Sequence, residues 1–199
     1  MVLIRLADLL ASFIAAIILS PFFLIIAIVI KLNSKGPVFY RQVRVGKDGK
    51  DFRVYKFRSM FTDADKKGLL TVGGNDSRIT SVGLFLRKYK LDELPQVFNV
   101  LKGEMSVVGP RPEVRKYVDL YNDEQRKVLS VLPGITDYAS IEFKNENELL
   151  AKATNPEQFY IDEIMPEKIK LNARYIDNKS IFQYIKIVFL TIIGIFKKG

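Results

Sequence analysis

The chain has 199 residues, 31 Lys and Arg against 22 Asp and Glu for a net charge of +9, and neither histidine nor cysteine. That length suits one domain with a sizeable core, and the surplus of cations favours an anionic partner: nucleic acid, anionic lipid or a phosphorylated substrate. Disulfides, thiolate catalysis, Cys-ligated metals and histidine acid–base chemistry are excluded, which leaves carboxylates, hydroxyls, lysines or a borrowed metal.

From Leu9 to Ile30 the chain carries no charge for 22 residues, and about 20 apolar residues suffice to cross a bilayer core. The apolar region of a cleaved signal peptide is shorter and ends at a small-residue site. Pro21 sits near the middle, where it removes a backbone donor, and the Ser20 hydroxyl can serve a carbonyl so freed. A kink is expected at Ser20-Pro21. Arg5 lies before the segment and Lys31, Lys35, Arg41 and Arg44 after it, so the positive-inside rule favours keeping both ends cytoplasmic. A re-entrant helix-break-helix meets both conditions; a kinked single span stays open.

Between Lys31 and Met60 nine basic residues face two acidic ones. "GPVFYRQVRV" and "DFRVYKFRSM" alternate apolar and basic residues on either side of Asp48-Gly49, a strong turn signal, and predict a β-hairpin. One face should carry Val38, Tyr40 and Val54, the other the basic side chains. Residues 61–80 read as a polar, glycine-containing loop. "SVGLFLRKY" predicts a short helix, and "LDELPQVFNVLKG" another, with Asp92 or Leu94 near its N-cap, Pro95 in the first turn and Gly103 past its end. Helical periodicity continues through Tyr117, Leu120, Tyr121, Val128 and Leu129. "PGITDYASIEF" predicts a turn, then a short strand or loop, and residues 145–171 mix helix and polar loop. The tail, apolar from Ile187 to Phe196 and closing on Lys197 and Lys198, is too short to span and reads as an interfacial helix, with packing against the core as the plainer reading.

"KLDELPQVFNVLKGEMSVVGPRP", residues 90–112, holds the chemistry. An aspartate at a helix start is ordinarily an N-cap. Here Arg87, Lys88 and Lys90 precede Asp92, Arg111 follows, and Lys56 and Arg58 come from the hairpin, a phosphate-binding setting that favours an ionised carboxylate. Asp92 and Glu93 beside a diphosphate can hold Mg²⁺ or attack phosphorus. Helical neighbours point about 100° apart, so spacing alone does not separate the two roles.

The chain resembles the bacterial sugar transferase family, the monotopic phosphoglycosyl transferases. The resemblance runs through the apolar segment broken at Ser20-Pro21, "GPVFYRQVRVG", "FRVYKFRSM", "RKYKLDELPQVFNVLKGEMSVVGPRP" and "LPGIT". It implies an α+β fold: a small mixed α/β cytoplasmic domain with a β-hairpin and interfacial amphipathic helices. Residues 1–33 would form the re-entrant anchor, and 34–199 the catalytic domain, closing on a membrane-interface helix at about 180–198. The implied reaction moves a sugar-1-phosphate from a UDP-sugar to a polyprenol phosphate such as undecaprenyl phosphate, releasing UMP. It would run at the cytoplasmic face of the bacterial inner membrane, with Mg²⁺ as cofactor and membrane lipid as a partner. Asp92 would be the nucleophile and Glu93 its dyad partner, both candidates for metal. Arg87 matches a phosphate-binding arginine, Pro110-Arg111-Pro112 the nucleotide-associated segment, and Lys56 and Arg58 are further binding candidates.

Two prolines limit the backbone of Arg111, whose planar fork suits phosphate, and phosphoryl transfer needs placement and charge neutralisation rather than histidine. One departure concerns the end that would meet the sugar. Many members continue "PGIT" with glycine and a run such as "GLAQVNGR", whereas this chain reads Asp137, Tyr138, "ASIEFKNENE". Asn145, Glu146 and Asn147 there read as a polar loop in preference to sugar contacts. The competing readings are a non-catalytic, membrane-anchored basic binding protein and another polyprenol-linked enzyme, a hydrolase or kinase. No groove-reading helix or aromatic RNA platform supports a nucleic-acid partner.

Overall fold

The computed structural model describes residues 2–68, 70–73 and 76–196. Helix α1 spans Val2–Asn33 with Pro21 inside it and no interruption of the helical assignment. Pro21 leaves the Ile17 carbonyl without its helical donor, and Ser20 Oγ donates to that carbonyl at 2.8 Å. The hydroxyl thus takes over the freed acceptor, as the sequence suggested.

Strands β1 (Phe39–Val45) and β2 (Asp51–Phe57) form the expected antiparallel hairpin. Asp48 and Gly49 at its tip have φ of 56° and 73°, the left-handed region that Asp tolerates and Gly adopts freely. The register pairs Tyr40 with Lys56 and Gln42 with Val54. Cross-strand partners share a face, so Val54 and Tyr40 do lie together. The basic residues, however, divide between faces: Lys56 and Arg44 share the Val54 side, and Arg41 and Arg53 take the other.

Helix α2 (Ser81–Lys88) is capped by Thr80, whose Oγ1 accepts from Gly83 N at 2.9 Å. A 3-10 turn, Leu91–Gln96, leads into helix α3 (Val97–Lys102), and Gly103 closes it at φ 86°. Asn99, fully buried, fixes α3 to the hairpin: its Oδ1 accepts from Tyr55 N at 2.9 Å and its Nδ2 donates to Arg53 O at 2.8 Å. That pair of bonds sets the height of the preceding turn above β2.

Strand β3 (Ser106–Val108) comes next, then helix α4 (Arg115–Val118) and a 3-10 turn, Gln125–Ser130. The single periodic helix expected here is therefore two short pieces. Asn122 and Gln125 exchange side-chain and backbone bonds at 2.8 and 3.0 Å, a local cap that starts a new turn rather than continuing the old one.

Strand β4 (Gly134–Thr136) pairs in parallel with β3. A Cβ on Gly134 would stand 2.1 Å from Gly109 N, so glycine is required for the strands to close. Helices α5 (Tyr138–Glu142), α6 (Glu146–Lys152), α7 (Pro156–Phe159) and α8 (Met165–Asp177) follow, with one π turn between the last two. Of residues 145–147, expected as loop, Glu146 and Asn147 open α6 instead, and Asn145 stands just before it.

Helix α9 (Ile181–Phe196) buries Tyr184 and Ile187 against Val108 and Tyr175 and exposes Phe182, Ile185, Phe189 and Ile192. The core-packing reading of the tail thus holds for one face, and the other is exposed and apolar. Lys197 and Lys198 lie outside the described residues.

Both arms of α1 close on the same short helix. Arg5 donates to Val100 O at 2.8 Å and Met105 O at 3.1 Å, while the Phe23 ring sits 5.8 Å from that of Phe98. In a straight helix Arg5 and Phe23 would be about 27 Å apart, yet their contacts on α3 are two residues apart. Asp8, 1% exposed, adds three bonds: Val107 N at 2.9 Å, Ser106 Oγ at 2.7 Å and Tyr184 OH at 2.8 Å. The opposite face of α1 is exposed and apolar, from Leu6, Leu10 and Phe13 to Phe22, Ile25 and Leu32. Among the described residues it is the one helix long and apolar enough to cross a membrane.

Candidate active site

Asp92 and Glu93 lie at the start of the 3-10 turn, just after Lys90, which adopts φ 57°. Three residues per turn direct neighbouring side chains about 120° apart, and the two carboxylates have different surroundings. Glu93 accepts from Lys56 Nζ at 2.8 Å and from both terminal nitrogens of Arg111, NH1 at 3.0 Å. Asp92 is 5% exposed, and its Oδ1 has no hydrogen-bond partner.

The electrostatics divide accordingly. Burial, reinforced by the charge of Glu93, pushes the Asp92 carboxyl up, against Lys56, Arg87 and Lys90. Burial would also raise Glu93, but Arg111 and Lys56 outweigh it and hold that carboxyl well below its usual range. Burial depresses the Lys56 ammonium. Arg111 is raised, chiefly by Glu93 and further by Asp137 and Glu146. The carboxylate that the flanking cations hold charged is thus Glu93, with which Lys56 and Arg111 pair.

Lys56, Arg87, Asp92, Glu93 and Arg111 line a cavity of about 850 Å³. Arg87 donates to Thr71 Oγ1 at 2.9 Å. The Pro110-Arg111-Pro112 backbone is held at three successive residues: Pro110 O accepts from Gly134 N at 3.0 Å, Arg111 N donates to Asp137 Oδ2 at 2.9 Å, and Pro112 O accepts from Arg44 at 3.1 Å. Arg58 lies at the wall of the same cavity, but its side chain is engaged by the protein. It is 5% exposed, and its terminal nitrogens donate to Lys35 O and Ser34 O, both at 2.7 Å. Those carbonyls lie just past the end of α1, and a further bond to Ile30 O at 3.3 Å reaches its last turn, so the guanidinium caps that helix.

Four residues escaped the sequence reading. Arg44 pairs with Glu113 at 3.1 Å, and Tyr160 OH donates to the same carboxylate. Asp137, 1% exposed, accepts from Arg111 N, Ser140 N and Asn172 Nδ2. Asp137 alone carried a local signal, an Asp three residues before a serine at a helix start.

A buried carboxylate pair ringed by arginine and lysine, beside an exposed apolar helical surface, suits phosphate chemistry at a membrane. Comparison with known proteins agrees with that class. The profile of the bacterial sugar transferase family matches residues 1–198. The UDP-glucose:undecaprenyl-phosphate glucose-1-phosphate transferase of Klebsiella pneumoniae is 42% identical over 200 residues, 96% of this chain and 40% of that protein. The UDP-N-acetylgalactosamine-undecaprenyl-phosphate N-acetylgalactosaminephosphotransferase of Aeromonas hydrophila is 42% identical over 190 residues, 93% of this chain and 41% of that protein. The exopolysaccharide production protein PSS of Rhizobium leguminosarum bv. phaseoli is 38% identical over 207 residues, all of this chain and 98% of that protein. The chain belongs to the bacterial sugar transferase family, and it spans less than half the length of the first two relatives.

Proposed function

We propose that this chain moves a sugar-1-phosphate from a UDP-sugar to undecaprenyl phosphate, with release of UMP, through a covalent intermediate on Asp92. The observation that carries the reading is the asymmetry of the dyad: a carboxylate with a bare buried oxygen beside a carboxylate gripped by Arg111 and Lys56. Ionised Asp92 attacks the sugar-bearing phosphorus, and the phosphorus–oxygen bond to UMP breaks with its electron pair on UMP. An oxygen of the polyprenol phosphate then attacks the same phosphorus and frees the carboxylate.

Glu93 keeps Arg111 and Lys56 charged and in place for the donor's phosphates. Arg87 serves as a further cation at the same cavity. Mg²⁺ would neutralise phosphate charge when bound. The carboxyl group of Asp92, whose Oδ1 no protein group bonds, would be its protein ligand, beside the donor's phosphates and water. That suits an ion that takes one or two carboxylates and otherwise phosphate and water. Glu93, held by two cations, fits less well.

Incubating membranes that contain the protein with UDP-sugars and undecaprenyl phosphate should release UMP. Free phosphate or a phosphorylated acceptor without UMP would point to the hydrolase or kinase reading. Binding without turnover would leave only a basic binding protein.

The same reading seats α1 in the cytoplasmic leaflet as a re-entrant helix, with residues 34–199 on the cytoplasmic side. A segment crossing about 30 Å of hydrocarbon would carry Arg5 and Asp8 away from Val100, Ser106 and Tyr184, which they contact. A cysteine placed at Val2 should therefore be labelled from the cytoplasmic side. Replacing Ser20 and Pro21 by leucine should shift molecules toward a crossing topology. Labelling of Val2 from the periplasm alone would contradict this seating.

A further inference from the structure

We propose that Ser140, Asn172 and the Glu146–Lys168 pair form the subsite that reads the hydroxyls of the donor sugar; this rests on the transferase reading above. These four side chains line the same cavity as the dyad. Two buried polar atoms here have no partner: Ser140 Oγ and Asn172 Oδ1. A buried polar group without a partner is costly, and such atoms on a cavity wall are what a polar ligand would satisfy.

The two residues are held in position by one carboxylate. Asp137 Oδ1 accepts from Ser140 N at 2.6 Å, and its Oδ2 from Asn172 Nδ2 at 2.8 Å. The same Oδ2 accepts from Arg111 N at 2.9 Å, while the Arg111 guanidinium reaches Glu93. One arginine, through its backbone on one side and its side chain on the other, thus links the dyad to this cluster. Glu146 and Lys168 pair at 2.8 Å with side chains 25% and 16% exposed.

Chemistry selects the sugar as occupant over the nucleoside. The sugar stays bonded to the phosphorus that Asp92 attacks, so it must lie beside the dyad. UMP departs on the side opposite the nucleophile, as an in-line displacement requires. A neutral serine and amide with a neutralised ion pair match hydroxyls and repel further charge.

Ser140→Ala is the cleanest probe, because Ser140 Oγ makes no bond that the fold would lose; Glu146→Gln is the second. Each is compared with wild type for adduct formation across a panel of UDP-sugars, with UMP inhibition measured beside it. The proposal expects the preference among UDP-sugars to shift by about tenfold, the scale of one hydrogen bond to a ligand hydroxyl, with UMP inhibition and thermal stability of Ser140→Ala unchanged. An equal change for every UDP-sugar, no change, or a change in UMP inhibition would overturn it. If wild type releases no UMP from any UDP-sugar in the presence of undecaprenyl phosphate, the transferase reading itself fails and the subsite with it. A wild-type adduct with unshifted preference overturns the subsite alone.

Discussion

Asp92→Asn should fold as wild type does and lose turnover by at least roughly a thousandfold, the scale of removing a covalent nucleophile. The amide keeps the shape of the side chain at the start of the 3-10 turn but cannot attack phosphorus. Stability should move the other way. Burial and Glu93 raise the Asp92 carboxyl above its unfolded value. A raised acid favours the fold at low pH and withdraws that support as pH rises through its folded pKa. At neutral pH the ionised group therefore costs stability, and Asp92→Asn should melt at the same temperature as wild type or higher. The pH dependence of adduct formation shares this origin. Its rate should fall on acidification at a pH above the ordinary aspartate range near 3.9, because protonation removes the nucleophile. Retained activity in Asp92→Asn would exclude the covalent route.

Glu93→Gln should lose both activity and stability. The folded carboxyl lies below its unfolded value because Arg111 and Lys56 hold it charged. Its stabilisation is fully present above the unfolded pKa and is lost only as pH falls through the folded one. The variant removes that contribution at neutral pH and strands two cations, one of them on a side chain 18% exposed. Breaking a buried pair from one side costs about 3 kcal/mol, or roughly 6–12 °C of melting temperature for a chain of this size. Adding Arg111→Met should recover part of the stability, since it removes a stranded charge, and none of the activity. Unchanged melting in Glu93→Gln would mean that the ion pairs do not support the fold.

What the sequence conveyed and what it withheld divide by contact range. The hairpin, the Thr80-capped helix and the Gly103 terminus are written within a few residues, so turn and cap signals sufficed. Asp92 and Glu93 stood out through their cationic neighbours. Which carboxylate the cations would take was not legible, because Arg111 reaches Glu93 across 18 residues and Lys56 across 37. The bonds of Arg58 were hidden for the same reason: Ser34 O, which accepts from it, lies 24 residues earlier. Asp8 carried no local signal of its role, because its partner Tyr184 lies 176 residues away. Strand β3 has three residues, too few for any periodicity, and exists because Gly109 and Gly134 let two backbones meet.

The central claim is the Asp92 adduct, and intact mass tests it most directly. Purified protein is mixed with UDP-sugar and Mg²⁺ in the absence of undecaprenyl phosphate, quenched rapidly and weighed. The account predicts a gain equal to one sugar phosphate on wild type, mapped to Asp92, absent from Asp92→Asn, and discharged when undecaprenyl phosphate is added. Turnover with no adduct at any quench time, together with kinetics lacking a ping-pong pattern, would contradict it and favour direct transfer between the two substrates.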